Sequence, residues 1–98
     1  MRKDCLLCRD LIKKTVDKWG KIDILVNNAA FQGPAKESFV DIERDRLEFT
    51  FKTNILAYFS LTQLAIKHMS EGSVIVNTCS IQAAAPMPGI LDYASTKV

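Results

Sequence analysis

Tyr93 and Lys97 stand four residues apart, a spacing that puts both on one face of a helix. A phenol ordinarily ionises near pH ~10, too high for a base at neutral pH. An ammonium about 5 Å away, at an effective dielectric of about 20, favours the phenolate by roughly 3 kcal/mol. That is enough to make a tyrosine a useful general base. The chemistry such a pair suits is proton transfer coupled to hydride transfer, where an oxidised nicotinamide ring adds a second positive charge acting in the same sense. Ser80 offers a hydroxyl to hold a substrate oxygen as it gains or loses its proton, and Asn54 adds a further polar group. Taken singly, each has an ordinary explanation: a solvated pair, a turn serine, a helix-kinking asparagine. Their joint order along the chain carries the reading.

The elements that must position these residues are legible from periodicity. Cys5, Cys8, Ile12, Val16 and Trp19 recur at steps of three and four, opposite Lys13, Lys14, Asp17 and Lys18, which predicts an amphipathic helix over residues 5–19. Gly20 stands where a left-handed cap is wanted. Residues 22–26 read as a short strand, and the consecutive apolar Ile24, Leu25 and Val26 suit a strand covered on both faces. A long helix is expected from 41 or 42 to about 69, broken or kinked at Asn54, because asparagine competes for backbone hydrogen bonds. Residues 73–78 read as a second buried strand. After a small-residue loop a last helix starts near Asp92, with Lys97 close enough to the terminus for fraying to be expected.

Strands alternating with helices predict parallel pairing, and ligands in such sheets bind beyond the strands' carboxyl ends. Both strands end in polar residues there: Asn27 and Asn28 after the first, Asn77 to Ser80 after the second. The expected class is α/β, a partial Rossmann-like doubly wound parallel sheet with two strands and flanking helices. Two strands of interior character imply neighbours the chain does not contain, so a fragment is expected.

Composition narrows the alternatives. The chain has 98 residues, 48% hydrophobic and 24% charged, with a net charge of +2. That suits one folded domain at most and gives no electrostatic case for nucleic acid. Charged or polar residues interrupt every apolar run, so no membrane span and no secretory signal is expected, and the reading is cytoplasmic. Cys5, Cys8 and Cys79 with the single His68 cannot assemble a closed zinc site of normal spacing, so no metal is expected. Cys5 and Cys8 fall on the apolar helix face and read as structural.

The ordered motifs resemble the short-chain dehydrogenase/reductase family. Residues 24–30, Ile-Leu-Val-Asn-Asn-Ala-Ala, are similar to that family's strand and Asn-Asn-Ala-Gly motif. Residues 51–55 resemble the helix with its catalytic asparagine, Ser80 precedes Tyr93 by the family's usual thirteen positions, and Tyr93 to Lys97 match its Tyr-x-x-x-Lys signature. Within the family, residues 27–32 and 91–93 look most like glucose/ribitol dehydrogenase-like members. The resemblance implies hydride transfer between NAD or NADP and a small alcohol or carbonyl substrate. It implies Tyr93 as general acid/base, with Lys97 assisting it and holding the nicotinamide ribose. Ser80 would orient the substrate oxygen, and Asn54 would fix a water in a proton relay. Asn27 and Ala29 would border the cofactor's adenosine half. A homo-oligomer is implied for the full-length form.

What the resemblance leaves out matters equally. The family opens with a strand and glycine-rich turn that hold the pyrophosphate, and none of the four glycines here forms one. Residues 1–98 are therefore expected to be an incomplete NAD(P)-binding domain, lacking that turn and the later part that closes over substrate. The chain alone is then expected to be inactive. The alternative is a short non-catalytic product that acts by binding full-length relatives.

Overall fold

The structure is a computed structural model that describes residues 3–98, with side chains from residue 6 onward. Its contacts gather into two compact units, each assembled from two stretches of chain: residues 1–27 with 57–77, and residues 28–56 with 78–98.

The first unit contains helix α1 (Lys3–Trp19) and strand β1 (Ile24–Asn27). Exposed pairs Lys13–Asp17 and Lys14–Asp10 lace the solvent side of α1. Gly20 ends the helix as expected, at φ +82°, with its N–H bonded to the Val16 carbonyl at 2.7 Å. Trp19 departs from the predicted apolar face: it is 66% exposed, with the Lys18 ammonium 4.7 Å above its ring. A residue in the last turn has no next turn to pack under, so periodicity alone does not bury it. Cys8 is half-buried, and the side chain of Cys5 lies outside the described residues.

The same unit holds helix α3 (Ala57–Ala65), which runs into a 3-10 turn at Ile66–His68, and strand β2 (Val74–Asn77). β1 and β2 pair in parallel, with Leu25 opposite Ile75 and Asn27 opposite Asn77. Ile12, Ile22, Leu25 and Ala65 form the buried core, with Val16, Leu61, Leu64 and Met69 packed on it. The expectation of strands covered on both faces is met on one face only among the described residues. In β1, Leu25 is buried but Ile24 is 65% exposed, while Val74, Ile75 and Val76 of β2 are 50, 38 and 46% exposed. Helices α1 and α3 pack together and α3 lies on β1, so the cover comes from one side. No helix among the described residues is long and apolar enough to cross a membrane.

The second unit contains a 3-10 turn at Phe39–Asp41, helix α2 (Arg44–Phe51), a π-helical turn at Lys52–Leu56 and helix α4 (Leu91–Ser95). The predicted start at 41 or 42 moves to Arg44 because Ser38 caps a separate turn, its Oγ accepting from the Val40 N–H. The predicted break is a π turn centred on Asn54. Such a turn inserts an extra residue into a helix, a distortion common at functional sites.

Candidate active site

The chain leaves both strands at an asparagine, Asn27 and Asn77, and passes directly into the second unit. Asn54, Ser80, Tyr93, Lys97 and Ala29 all belong to that unit, whereas Asn27 belongs to the first.

Tyr93 lies on α4, and Lys97 follows just past the helix end at Ser95. The Lys97 ammonium lies 5.7 Å from the centre of the Tyr93 ring and donates to the Thr78 carbonyl at 3.2 Å. Lys97 is only 4% exposed. A buried lysine needs a partner for its charge, and the carbonyl just past β2 supplies one. Tyr93 is half-buried.

Asn54 is 1% exposed, and its carboxamide is engaged at both ends. Its Oδ1 accepts from the Phe31 N–H at 2.8 Å, and its Nδ2 donates to the Phe31 carbonyl and to Thr96 Oγ1 at 3.0 and 2.9 Å. Thr96 in turn donates to the Tyr93 carbonyl at 2.7 Å. A T-shaped contact between Phe31 and Phe49, with centroids 4.8 Å apart, holds the same segment. Asn54 is thus tied to the helix carrying Tyr93 and to the segment that follows β1.

Ser80 caps a 3-10 turn at Ile81–Ala83, its Oγ accepting from the Gln82 N–H at 3.1 Å. A hydroxyl that accepts there retains its own proton for another acceptor. The turn packs against α4, and Gln82 Oε1 accepts from the Met87 N–H at 2.9 Å, folding the loop back on itself.

Asn27 is buried in the first unit, where Nδ2 donates to Asn77 Oδ1 and Thr62 Oγ1 at 2.8 and 3.2 Å. Its Oδ1 is buried with no hydrogen-bond partner among the described residues. Ala29 is exposed, and beside it Asn28 Oδ1 accepts from the Thr78 hydroxyl at 2.8 Å.

Four residues that sequence reasoning missed complete the second unit: Arg46, Thr50, Asp92 and Thr96. Arg46 donates to both carboxylate oxygens of Asp92, at 3.0 and 3.1 Å, with side chains 11 and 0% exposed. Burial acts to raise the Asp92 pKa. It is outweighed by bonds from Arg46, Thr50 and the Tyr93 N–H and by the Arg46 charge, which together hold the carboxyl below its ordinary 3.8. The only signal in sequence was position, since Asp92 precedes Tyr93 and Thr96 precedes Lys97. No group of three or more His, Cys, Asp or Glu residues able to hold a metal occurs among the described residues.

Residues 4–98 match the family described as short chain dehydrogenase. The chain is 48% identical over 90 residues to glucose and ribitol dehydrogenase of Daucus carota, and 47% identical over 90 residues to the uncharacterized oxidoreductase YhdF of Bacillus subtilis. Each alignment covers 92% of this chain but 31% of the relative, so the chain spans about a third of those proteins. Among solved structures, a short chain dehydrogenase from Burkholderia cenocepacia in complex with NADP superposes with a TM-score of 0.85 at 33% identity, covering 95% of this chain and 38% of that one. A 3-ketoacyl-(acyl-carrier-protein) reductase from Brucella melitensis complexed with NADH does so at 0.85 and 27% identity, covering 92 and 39%.

Proposed function

Because this chain belongs to the short-chain dehydrogenase family, we propose that it carries the acid/base half of an NAD(P)-dependent oxidoreductase acting on an alcohol or carbonyl. The observation that carries this reading is the buried Lys97 ammonium 5.7 Å from the Tyr93 ring. The donor set fits a nicotinamide nucleotide: an ammonium suits ribose hydroxyls, and the Ser80 proton suits the oxygen undergoing reaction. Both NADH and NADP occur in the solved relatives, which supports either cofactor.

A bound nicotinamide supplies or accepts the hydride. In the reductive direction the Tyr93 hydroxyl gives its proton to the substrate oxygen, leaving a phenolate that solvent reprotonates. In the oxidative direction the phenolate takes that proton back. Lys97 sets a positive charge beside the Tyr93 ring, and the Thr78 carbonyl fixes where that charge stands. Ser80 donates to the substrate oxygen and orients it. Asn54 acts first as a clamp, since both amide protons are already committed.

The 98 residues then represent the middle of the family's domain, a reading supported by their 31% share of the relatives and by the exposed strand residues. The test is a chimera in which residues 4–98 replace the matching segment of the Daucus carota relative. Turnover of nicotinamide cofactor that Tyr93→Phe abolishes is expected, and an inactive, well-folded chimera would sink the proposal.

A further inference from the structure

We propose that Arg46 and Asp92 are a positioning pair that sets where Tyr93 and Lys97 stand, an inference resting on the acid/base reading of Tyr93. Helix α4 has five residues, and its N-cap, Ile90, makes no side-chain cap bond. So short a helix does not hold itself. Its second residue is Asp92, whose carboxylate is gripped from outside by the fork of Arg46 on α2. Tyr93 is the next residue, and Lys97 is just over one turn further on.

The grip reaches beyond one ion pair. Arg46 also donates to the carbonyls of Pro34 and Gly89, so one guanidinium joins α2, the segment after β1, the loop before α4 and α4 itself. Two glycines make room. A Cβ on Gly33 would stand 2.5 Å from Arg46 Nε, and one on Gly89 would stand 2.1 Å from the Lys36 carbonyl oxygen. Thr50 Oγ1 lies 2.8 Å from both Asp92 Oδ2 and the Arg46 carbonyl, and its single proton goes to the stronger acceptor, the carboxylate. A buried ion pair is weak as a source of stability, because desolvation offsets the attraction. What this one contributes is geometry: a planar, bidentate contact fixes orientation, which a lysine cannot reproduce.

The test uses the same chimera with Arg46→Lys and Thr50→Val, which keep charge and volume respectively. Below the melting temperature, Arg46→Lys should lower kcat by about tenfold or more and raise cofactor KM as well, because Lys97 shifts with Tyr93. Thr50→Val should give a smaller loss of the same kind. Amide hydrogen exchange across residues 91–97 should quicken in both variants relative to that in α2. This readout does not depend on turnover. An unchanged kcat in folded Arg46→Lys, or unchanged exchange in α4, overturns the positioning role. If Tyr93→Phe keeps full activity, the acid/base reading fails instead, and the exchange rates still decide whether Arg46 holds α4.

Discussion

Asn54 pairs with the Phe31 peptide by both of its edges, accepting the N–H at 2.8 Å and donating to the carbonyl at 3.0 Å. The contact joins a helix interior to the segment leaving β1, and its third bond reaches Thr96. Asn54→Asp keeps the shape but cannot donate, and it sets a carboxylate against a buried carbonyl. The chimera should lose about 3 kcal/mol of stability, read as a lowered denaturant midpoint. An unchanged midpoint would mean the pairing contributes nothing.

Tyr93→Phe deletes one hydroxyl and keeps the ring. Turnover should fall by about a hundredfold or more, with cofactor affinity nearly unchanged. Retention of more than about a tenth of the parent rate would remove Tyr93 from the acid/base role.

Lys97→Met removes both a charge and a donor while keeping much of the buried stem. Turnover should fall, and nicotinamide binding should weaken. Rates and cofactor titrations that overlay those of the parent would refute both roles.

The lowered pKa of Asp92 predicts an acid limb in stability. Its folded value lies below the ordinary 3.8. The contribution is therefore fully present above that ordinary value and is lost as pH falls through the folded one. Asp92→Asn should be less stable than the parent at neutral pH, with the gap closing below about pH 4. Melting curves whose separation stays constant down to strongly acidic pH would show that the carboxylate is not the stabilising form.

The 98-residue chain alone should not bind NAD or NADP at micromolar concentration. Its four glycines, at 20, 33, 72 and 89, form no glycine-rich turn for a pyrophosphate. The exposed apolar residues of β1 and β2 also favour association of chains. Calorimetry with each cofactor, beside a circular dichroism melt, is the check. Micromolar affinity with a cooperative transition would make these residues a complete binding unit.

Periodicity found α1, short unbroken apolar runs found β1 and β2, and α2 and α3 were read as one long helix broken at Asn54. Asn54 betrayed the π turn because a poor helix former stood mid-helix. The Tyr93–Lys97 face followed from spacing alone. Arg46 and Asp92 were not legible, since 46 positions separate them and charged residues ordinarily face solvent. The anchor of Lys97 was hidden for a related reason, since only the folded chain reveals the Thr78 carbonyl that receives its ammonium.

The interleaving of the two units bears on how the protein is made. The first unit cannot close until residue 77 has been synthesised, and the second waits for residues 78–98. The bonds that organise the second unit span 46 positions from Arg46 to Asp92 and 42 from Asn54 to Thr96. Contacts so distant in sequence form late and slowly. On a ribosome, α2 and its buried arginine therefore emerge well before the carboxylate that neutralises them. Until Asp92 arrives, Arg46 belongs in water, and the arrangement around Tyr93 waits on that arrival.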